Sequence, residues 1–180
     1  AVLIVMCDFP GKRWLTWALL LPLAMPAYVT AYAYTDFLQY SGWLQTTLRE
    51  VLGLQGRMLP EIRSTGGAAL VFIVSLYPYV YLLTRAALLE RAGNLLEAAK
   101  LMGATPLDRL RRVALPLARP AIGAGIALAL METLADFGVS SYFAVQTFSA
   151  GIYKAWLALD NPMLASQLAT VLLVFVAIVL

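Results

Sequence analysis

Three long stretches of the sequence contain no charged residue, and they limit the possible folds more than any other feature. These stretches are Trp14–Thr35, Ser64–Thr84 and Asn161–Leu180. A membrane-spanning helix needs about 20 consecutive, mainly apolar residues. In addition, 62% of all residues are hydrophobic and 13% are charged, against about 45–50% and about 25% in soluble domains. The sequence therefore predicts an all-α membrane protein, a polytopic helical bundle.

A fourth span is expected over residues 120–138, which are rich in Ala, Gly and Leu but include Glu132 and Asp136. The apolar run Ala1–Cys7 is typical of the end of a further span, so we expect the chain to be a fragment. We expect one domain over residues 1–180, with spans at about 14–35, 64–84, 120–138 and 163–180.

The basic residues predict the orientation, since Lys and Arg resist translocation across a membrane. Of the 13 Lys and Arg residues, nine lie in residues 8–13 and 85–119. We therefore expect loop 85–119 on the cytoplasmic side, and loops 36–63 and 138–160 on the outer, periplasmic side. The remaining basic residues are Arg49, Arg57, Arg63 and Lys154.

A short amphipathic helix is predicted in the first outer loop, just before Gly53. Four apolar residues recur there at helical spacing: Leu44, Leu48, Val51 and Leu52. We expect this helix to be a packing element on the outer interface or on neighbouring helices, with a partner site as the alternative.

The residue types that the sequence lacks exclude much enzyme chemistry. There is no histidine and one cysteine, Cys7, which excludes a Ser-His-Asp triad, a His-ligated zinc site and a disulfide framework. The P-loop string that holds ATP phosphates is absent, and a net charge of +3 is too small to suggest nucleic-acid binding. We predict no catalytic residue, no cofactor and no definite metal ligand in this chain.

The polar loop at residues 90–117 has the most informative local pattern. Helix formers dominate Asn94–Met102, and Gly103 can end that helix. Thr105 followed by Pro106 is typical of the start of a second helix, which we expect to end near Val113.

Two further expectations concern this loop. Pro116 and Pro120 should break the backbone where the next span begins. Each short helix should also present an apolar stripe. The stripes consist of Leu95, Ala98, Ala99 and Met102 on the first helix, and of Leu107, Leu110, Val113 and Ala114 on the second.

A string with fixed spacing runs through the same loop. Glu97-Ala98-Ala99 is followed by three residues, Gly103, nine residues, Val113, one residue and Leu115-Pro116. This string resembles the EAA loop of binding-protein-dependent ABC-transporter permeases, which have Ile where this chain has Val113. The alternative interpretation is an ordinary helical hairpin in which Gly103 is only a helix C-cap.

The resemblance implies the fold, the location and the partners. It implies a MetI-like type I ABC importer permease fold in the bacterial inner (plasma) membrane. The EAA residues would form coupling helices that seat in a cleft of cytoplasmic ABC ATPase subunits, so ATP hydrolysis belongs to another subunit and this chain is not an enzyme. Further implied partners are a periplasmic or lipid-anchored substrate-binding protein, a second permease half, fused or separate, and the lipid bilayer.

Two further stretches resemble the ferric-iron branch of the family, in the N-terminal half of its permeases. They are residues 8–13 running into 22–42, and residues 135–161. The resemblance implies ferric iron as the substrate, although selectivity can reside in the binding protein. Polyamines, thiamine or phosphonates are the alternatives, because their permeases share the loop.

Two acids are candidates for the substrate path. Glu132 and Asp136 are four residues apart and hence expected on one helix face, with Gly125 and Ala129 allowing another helix to approach there. They would line the pore, or else form an interfacial pair that is solvated or bonded to neighbouring helices. Two rival functions, an intramembrane enzyme and a proton-coupled carrier, would also use these carboxylates.

Two pairs of tyrosines are the other candidates for the path. Tyr28 with Tyr32, and Tyr77 with Tyr81, are each four residues apart, and prolines in the same spans can bend the helices beside a cavity. Phenolate and carboxylate oxygens suit a hard cation such as ferric iron. The alternative role of such tyrosines is packing or an aromatic belt.

Overall fold

The structure is a computed structural model that describes residues 1–53, 56, 59–91 and 93–179. Arg57 in the charge count, Ala92 in the polar loop and Leu180 at the end of the fourth span lie outside the described residues. No strand occurs in these described ranges. The α-helices are α1 (Val2–Met6), α2 (Lys12–Ala18), α3 (Ala27–Leu38), α4 (Trp43–Leu52), α5 (Thr65–Arg91), α6 (Gly93–Leu101), α7 (Pro106–Asp108), α8 (Leu115–Ala135), α9 (Gly138–Tyr142), α10 (Phe148–Tyr153) and α11 (Pro162–Val179).

Three helices of the described chain are long and apolar enough to cross a membrane. They are Thr65–Glu90, Pro106–Ala135 and Pro162–Val179. The helix expected over residues 14–35 is instead interrupted. It consists of α2, a 3₁₀ turn at Leu21–Ala24 and α3. A fourth span results only if Lys12–Ala24 and Ala27–Leu52 are taken together across the break.

Proline explains the break. Pro26 is the N-cap of α3 and has an extended backbone, with ψ of 142°. A residue before proline is also disfavoured in the helical region, which applies to Met25. The helix therefore stops before this pair and starts again after it.

The expected break at Pro120 is wrong, because α8 passes through that residue without interruption. The backbone is π-helical over Arg109–Ala114, immediately before Pro116, and the Leu115 N–H bonds to the Leu110 carbonyl five residues back. This wider turn accommodates a residue that has no N–H of its own. The second loop helix consequently does not end near Val113 but continues into α8.

The chain divides into two compact units, each with its own buried core. The first unit comprises Ala1–Ala24 and Leu76–Leu130, and the second comprises Met25–Ser75 and Met131–Leu180. The core of the first unit contains Leu88, Leu96, Ala114 and Ala118. It therefore joins α5, α6, the π-helical stretch and α8, which fixes the loop at residues 90–117 against two long helices.

The second unit contains the residues expected in the outer loops, and these are largely helical. Its core contains Ala31, Ile62, Ala68, Val71, Val139 and Phe143. The predicted amphipathic helix is confirmed as α4, which ends at Gly53 with a left-handed φ of 63°. Gln45 on α4 is fully buried and donates to the Leu38 carbonyl at 2.7 Å.

Candidate functional site

The first half of the loop at residues 90–117, hereafter the coupling loop, is a helix followed by a glycine turn, as predicted. Gly103 follows α6 with a φ of 80°, a conformation that glycine adopts without steric cost. The N–H groups of Gly103 and Ala104 donate to the carbonyls of Lys100 and Ala99, each at 3.0 Å. These bonds satisfy carbonyl groups at the helix end.

The second half of the coupling loop begins with the predicted Thr-Pro cap. Thr105 Oγ1 accepts a hydrogen bond from the Asp108 N–H at 3.2 Å and donates to Asp108 Oδ2 at 2.7 Å. Pro106 occupies the first turn of the helix. Asp108 also pairs with Arg112 at 3.4 Å. Two reciprocal bonds and one ion pair thus hold the start of the helix that leads into α8.

The predicted coupling residues divide into a group that packs against the core and a group that is exposed. Ala99 is buried and Val113 is half-buried against the core of the first unit. The exposed members are Glu97, Ala98, Gly103, Leu115 and Pro116. Glu97 makes no hydrogen bond or ion pair with any residue that the structure describes. Its carboxylate is available to a partner.

The apolar stripe predicted on α6 is partly wrong, because the helix is rotated relative to that expectation. Leu96, which the stripe omitted, is buried in the core with Leu88, whereas Leu95 is exposed. Leu101 and Met102 are 88% and 80% exposed, and Leu107 beyond the turn is exposed as well. We call these last three residues the apolar tip. Each of these three side chains is more than half exposed in the part of the chain that the structure describes.

The two acids expected on one helix face have different environments. Glu132 is exposed near the end of α8, whereas Asp136 follows that helix, which stops at Ala135. Asp136 Oδ2 accepts hydrogen bonds from the Val139 and Ser140 N–H groups, at 2.9 and 3.1 Å. The expectation of two carboxylates along one helix is therefore wrong, since Asp136 caps α9. That either acid lines the substrate path stays a prediction.

The first tyrosine pair packs within the second unit. The Tyr32 ring centroid lies 4.2 Å from that of Tyr142. A β-carbon built on Gly138 would lie 3.0 Å from Tyr28 Cβ. Both contacts are with α9, the helix that Asp136 caps, although each tyrosine remains half-exposed. This packing favours the structural alternative for Tyr28 and Tyr32.

The second tyrosine pair lies on α5 in the first unit. Tyr77 is half-buried. Tyr81 is buried, and its hydroxyl has no hydrogen-bond partner among the described residues. A buried unsatisfied hydroxyl is unfavourable unless something else bonds to it. The path role of this pair stays a prediction.

The sequence places this fold and this loop in a known class of membrane protein. Residues 9–180 match the family of binding-protein-dependent transport system inner membrane components. The chain belongs to this family of ABC importer permeases. The helical membrane fold and the family predicted from the EAA spacing are therefore confirmed.

Three relatives illustrate the range of the family. The chain is 32% identical to the inner membrane ABC transporter permease protein YdcU of Escherichia coli over 176 residues, 91% of this chain and 56% of that protein. It is 30% identical to the putative 2-aminoethylphosphonate transport system permease protein PhnU of Salmonella typhimurium over 139 residues, 77% of this chain and 49% of that protein.

The third relative is the Fe(3+)-transport system permease protein FbpB 2 of Haemophilus influenzae, which is 27% identical over 165 residues. That alignment covers 92% of this chain and 28% of the relative. The chain thus spans between 28% and 56% of the length of these curated relatives.

Proposed function

We propose that this chain is the translocation subunit of an ABC importer and that separate cytoplasmic ATPase subunits drive it through the coupling loop. The observation that carries the proposal is the division of this loop into two faces. Leu96 and Ala99 are buried, while Leu101 and Met102 extend outward almost fully exposed. An apolar surface next to the unpaired Glu97 fits a cleft on a protein partner.

The packing of the loop supports a mechanism for coupling. Leu96 on α6 shares a core with Leu88 on α5 and with Ala114 and Ala118. A force on the apolar tip is therefore transmitted to two long helices at once. In the proposed cycle, ATP-driven closure of the ATPase subunits displaces the loop, and the spans alternate between outward-facing and inward-facing states. This chain performs no covalent chemistry.

The proposed substrate is ferric iron, delivered by a periplasmic or lipid-anchored binding protein. The two stretches that resemble the ferric-iron branch and the similarity to FbpB 2 support it. Phosphonate is the second candidate, supported by the similarity to PhnU. Uptake of radiolabelled ferric iron and of labelled 2-aminoethylphosphonate, measured in cells with and without the complete importer, distinguishes the two.

The coupling role is tested in the full-length permease, co-expressed with its ATPase. Gly103→Pro removes a left-handed φ and an N–H donor, and Glu97→Arg reverses the charge beside the apolar tip. We expect both variants to insert normally but to lose uptake and co-purification of the ATPase. Glu50→Arg, an exposed acid on α4, is the matched control and keeps the ATPase. Normal co-purification with both loop variants would overturn the proposal.

A further inference from the structure

A basic cavity lies beside α2 in the first unit, and none of its lining residues belongs to the coupling loop. Its volume is about 410 Å³. None of its lining residues is acidic; they are Lys12, Arg13, Thr16, Trp17, Leu20 and Arg85. We call this space the basic cavity. Its composition, three cations beside apolar side chains, indicates a ligand that is both anionic and apolar.

Arg85 is the residue of this lining that has a buried donor without a partner in the described part of the chain. Its Nε is buried and has no hydrogen-bond partner among the described residues. A guanidinium group presents several donors in a planar fork that matches the oxygens of a phosphate or carboxylate. Leaving such a donor buried and unpaired is costly. An anion in the basic cavity would remove that cost.

The other two cations differ in their availability. Lys12 Nζ donates to Asp8 Oδ1 at 2.7 Å, and this bond lowers the pKa of the exposed Asp8 carboxyl. Asp8 therefore stays ionised and holds Lys12. Arg13 is exposed and forms no ion pair with a residue that the structure describes. The cavity thus offers Arg13 and Arg85 to a ligand.

The apolar part of the lining distinguishes a lipid from a free anion. Trp17, in the lining, and Trp14, on the same helix, are 66% and 83% exposed. Exposed tryptophans of membrane proteins collect at the level of the lipid head groups. Leu20 continues the lining one turn beyond Thr16. A free phosphate would leave Trp17 and Leu20 without an apolar contact.

We propose that the basic cavity binds the phosphate head group of an anionic glycerophospholipid. Arg13 and Arg85 contact the phosphate oxygens, and Trp17 and Leu20 contact the glycerol and the first methylene groups of the acyl chains. Basic pockets between the helices of other membrane proteins recognise anionic lipid head groups in the same way. The site does not depend on which solute the importer carries.

The test uses the complete importer, purified in detergent and titrated with phosphatidylglycerol or phosphatidylcholine, with bound lipid counted by native mass spectrometry. We expect phosphatidylglycerol to bind more tightly. Arg13→Gln and Arg85→Gln should each weaken its binding by about fivefold, the effect of removing one interfacial basic residue. Arg119→Gln, an exposed basic residue outside the cavity, should leave binding unchanged.

Additional variants and ligands keep the test decisive. Arg13 is exposed, so its substitution does not disturb a core. Arg85→Lys keeps the charge but loses the planar fork, so it should bind phosphatidylglycerol less tightly than the original protein and more tightly than Arg85→Gln. Equal binding of both lipids, or equal losses in the Arg13→Gln and Arg119→Gln variants, would overturn the proposal. Displacement of phosphatidylglycerol by millimolar inorganic phosphate would overturn it too, because the ligand would then be a free anion.

Discussion

The backbone of Gly125 in α8 lies directly against that of Val80 in α5. A β-carbon built on Gly125 would be 2.6 Å from Val80 Cα and 3.2 Å from the Tyr79 carbonyl oxygen. Small residues allow membrane helices to approach this closely, which increases their van der Waals contact. The sequence predicted that another helix approaches the face of Gly125, and the structure identifies that helix as α5.

This contact makes Gly125 intolerant of any side chain. Gly125→Ala should destabilise the protein by about 1–3 kcal/mol, because the added methyl group meets backbone that cannot rotate away. Gly123→Ala is the control on the same helix, since a β-carbon there meets nothing within 4 Å. Thermal unfolding in detergent measures both variants. Equal midpoints would contradict the close approach.

Gly103 should be required for its backbone conformation and not for lack of space. A β-carbon on Gly103 meets nothing within 4 Å, but its φ is 80°. Gly103→Ala should cost about 1–2 kcal/mol, while Gly103→Asn should cost less, because Asn enters the left-handed region more readily. Amide hydrogen exchange at Ala104, which bonds across the turn, reports the difference. Equal exchange in both variants would exclude a conformational requirement.

Thr105 should stabilise the start of the second loop helix. Thr105→Ala removes both the bond from the Asp108 N–H and the bond to its carboxylate, at a cost of about 1 kcal/mol. Thr105→Ser keeps the hydroxyl and should behave like the original protein. Faster amide exchange at Asp108 in the alanine variant alone is the expected result. The same exchange in all three proteins would show that the cap is dispensable.

The apolar tip should matter for the partner and not for folding. Leu101→Ser together with Met102→Ser should leave the unfolding temperature unchanged, because both side chains are exposed. ATPase co-purification and uptake should fall, since the contact with the proposed partner loses its apolar area. Val51→Ser on α4, where Val51 is 75% exposed, is the control. Retention of the ATPase by the double variant would refute this role.

Asp136 should stabilise the start of α9 through the hydrogen bonds that its carboxylate accepts. Asp136→Ala removes the cap of α9 and should cost about 1 kcal/mol of stability, whereas Asp136→Asn keeps an acceptor oxygen there. If capping is its whole role, uptake by the Asn variant stays normal. Reduced uptake by Asp136→Asn or Glu132→Gln, without loss of stability, would instead place that carboxylate on the substrate path.

The features predicted correctly are those that depend on a few neighbouring residues. The turn at Gly103, the cap at Thr105 and the helix that ends at Gly53 each follow from local backbone preferences. The fixed spacing of the EAA string likewise identified the family. Each of these signals is contained within about 20 consecutive residues.

The features predicted wrongly depend on the surrounding structure. Pro120 lies inside α8 without ending it, because a proline is tolerated within a membrane helix where surrounding groups satisfy the freed backbone carbonyl. Whether Leu95 or Leu96 faces the core depends on the position of Leu88. The periodicity that placed Asp136 beside Glu132 assumed that the helix continued, but the structure ends it at Ala135.

The helix from Pro106 to Ala135 is uninterrupted, which limits how much of a displacement of the coupling loop can be absorbed by bending. A flexible joint between the loop and α8 would absorb part of each displacement as bending. A continuous helix behaves as a stiff rod, so movement of its first turn is passed along the helix as rotation and translation. Under the coupling mechanism proposed above, that stiffness implies a tight stoichiometry between nucleotides hydrolysed and solute molecules moved. Flexible residues inserted after Ala114 should therefore leave hydrolysis running while transport falls.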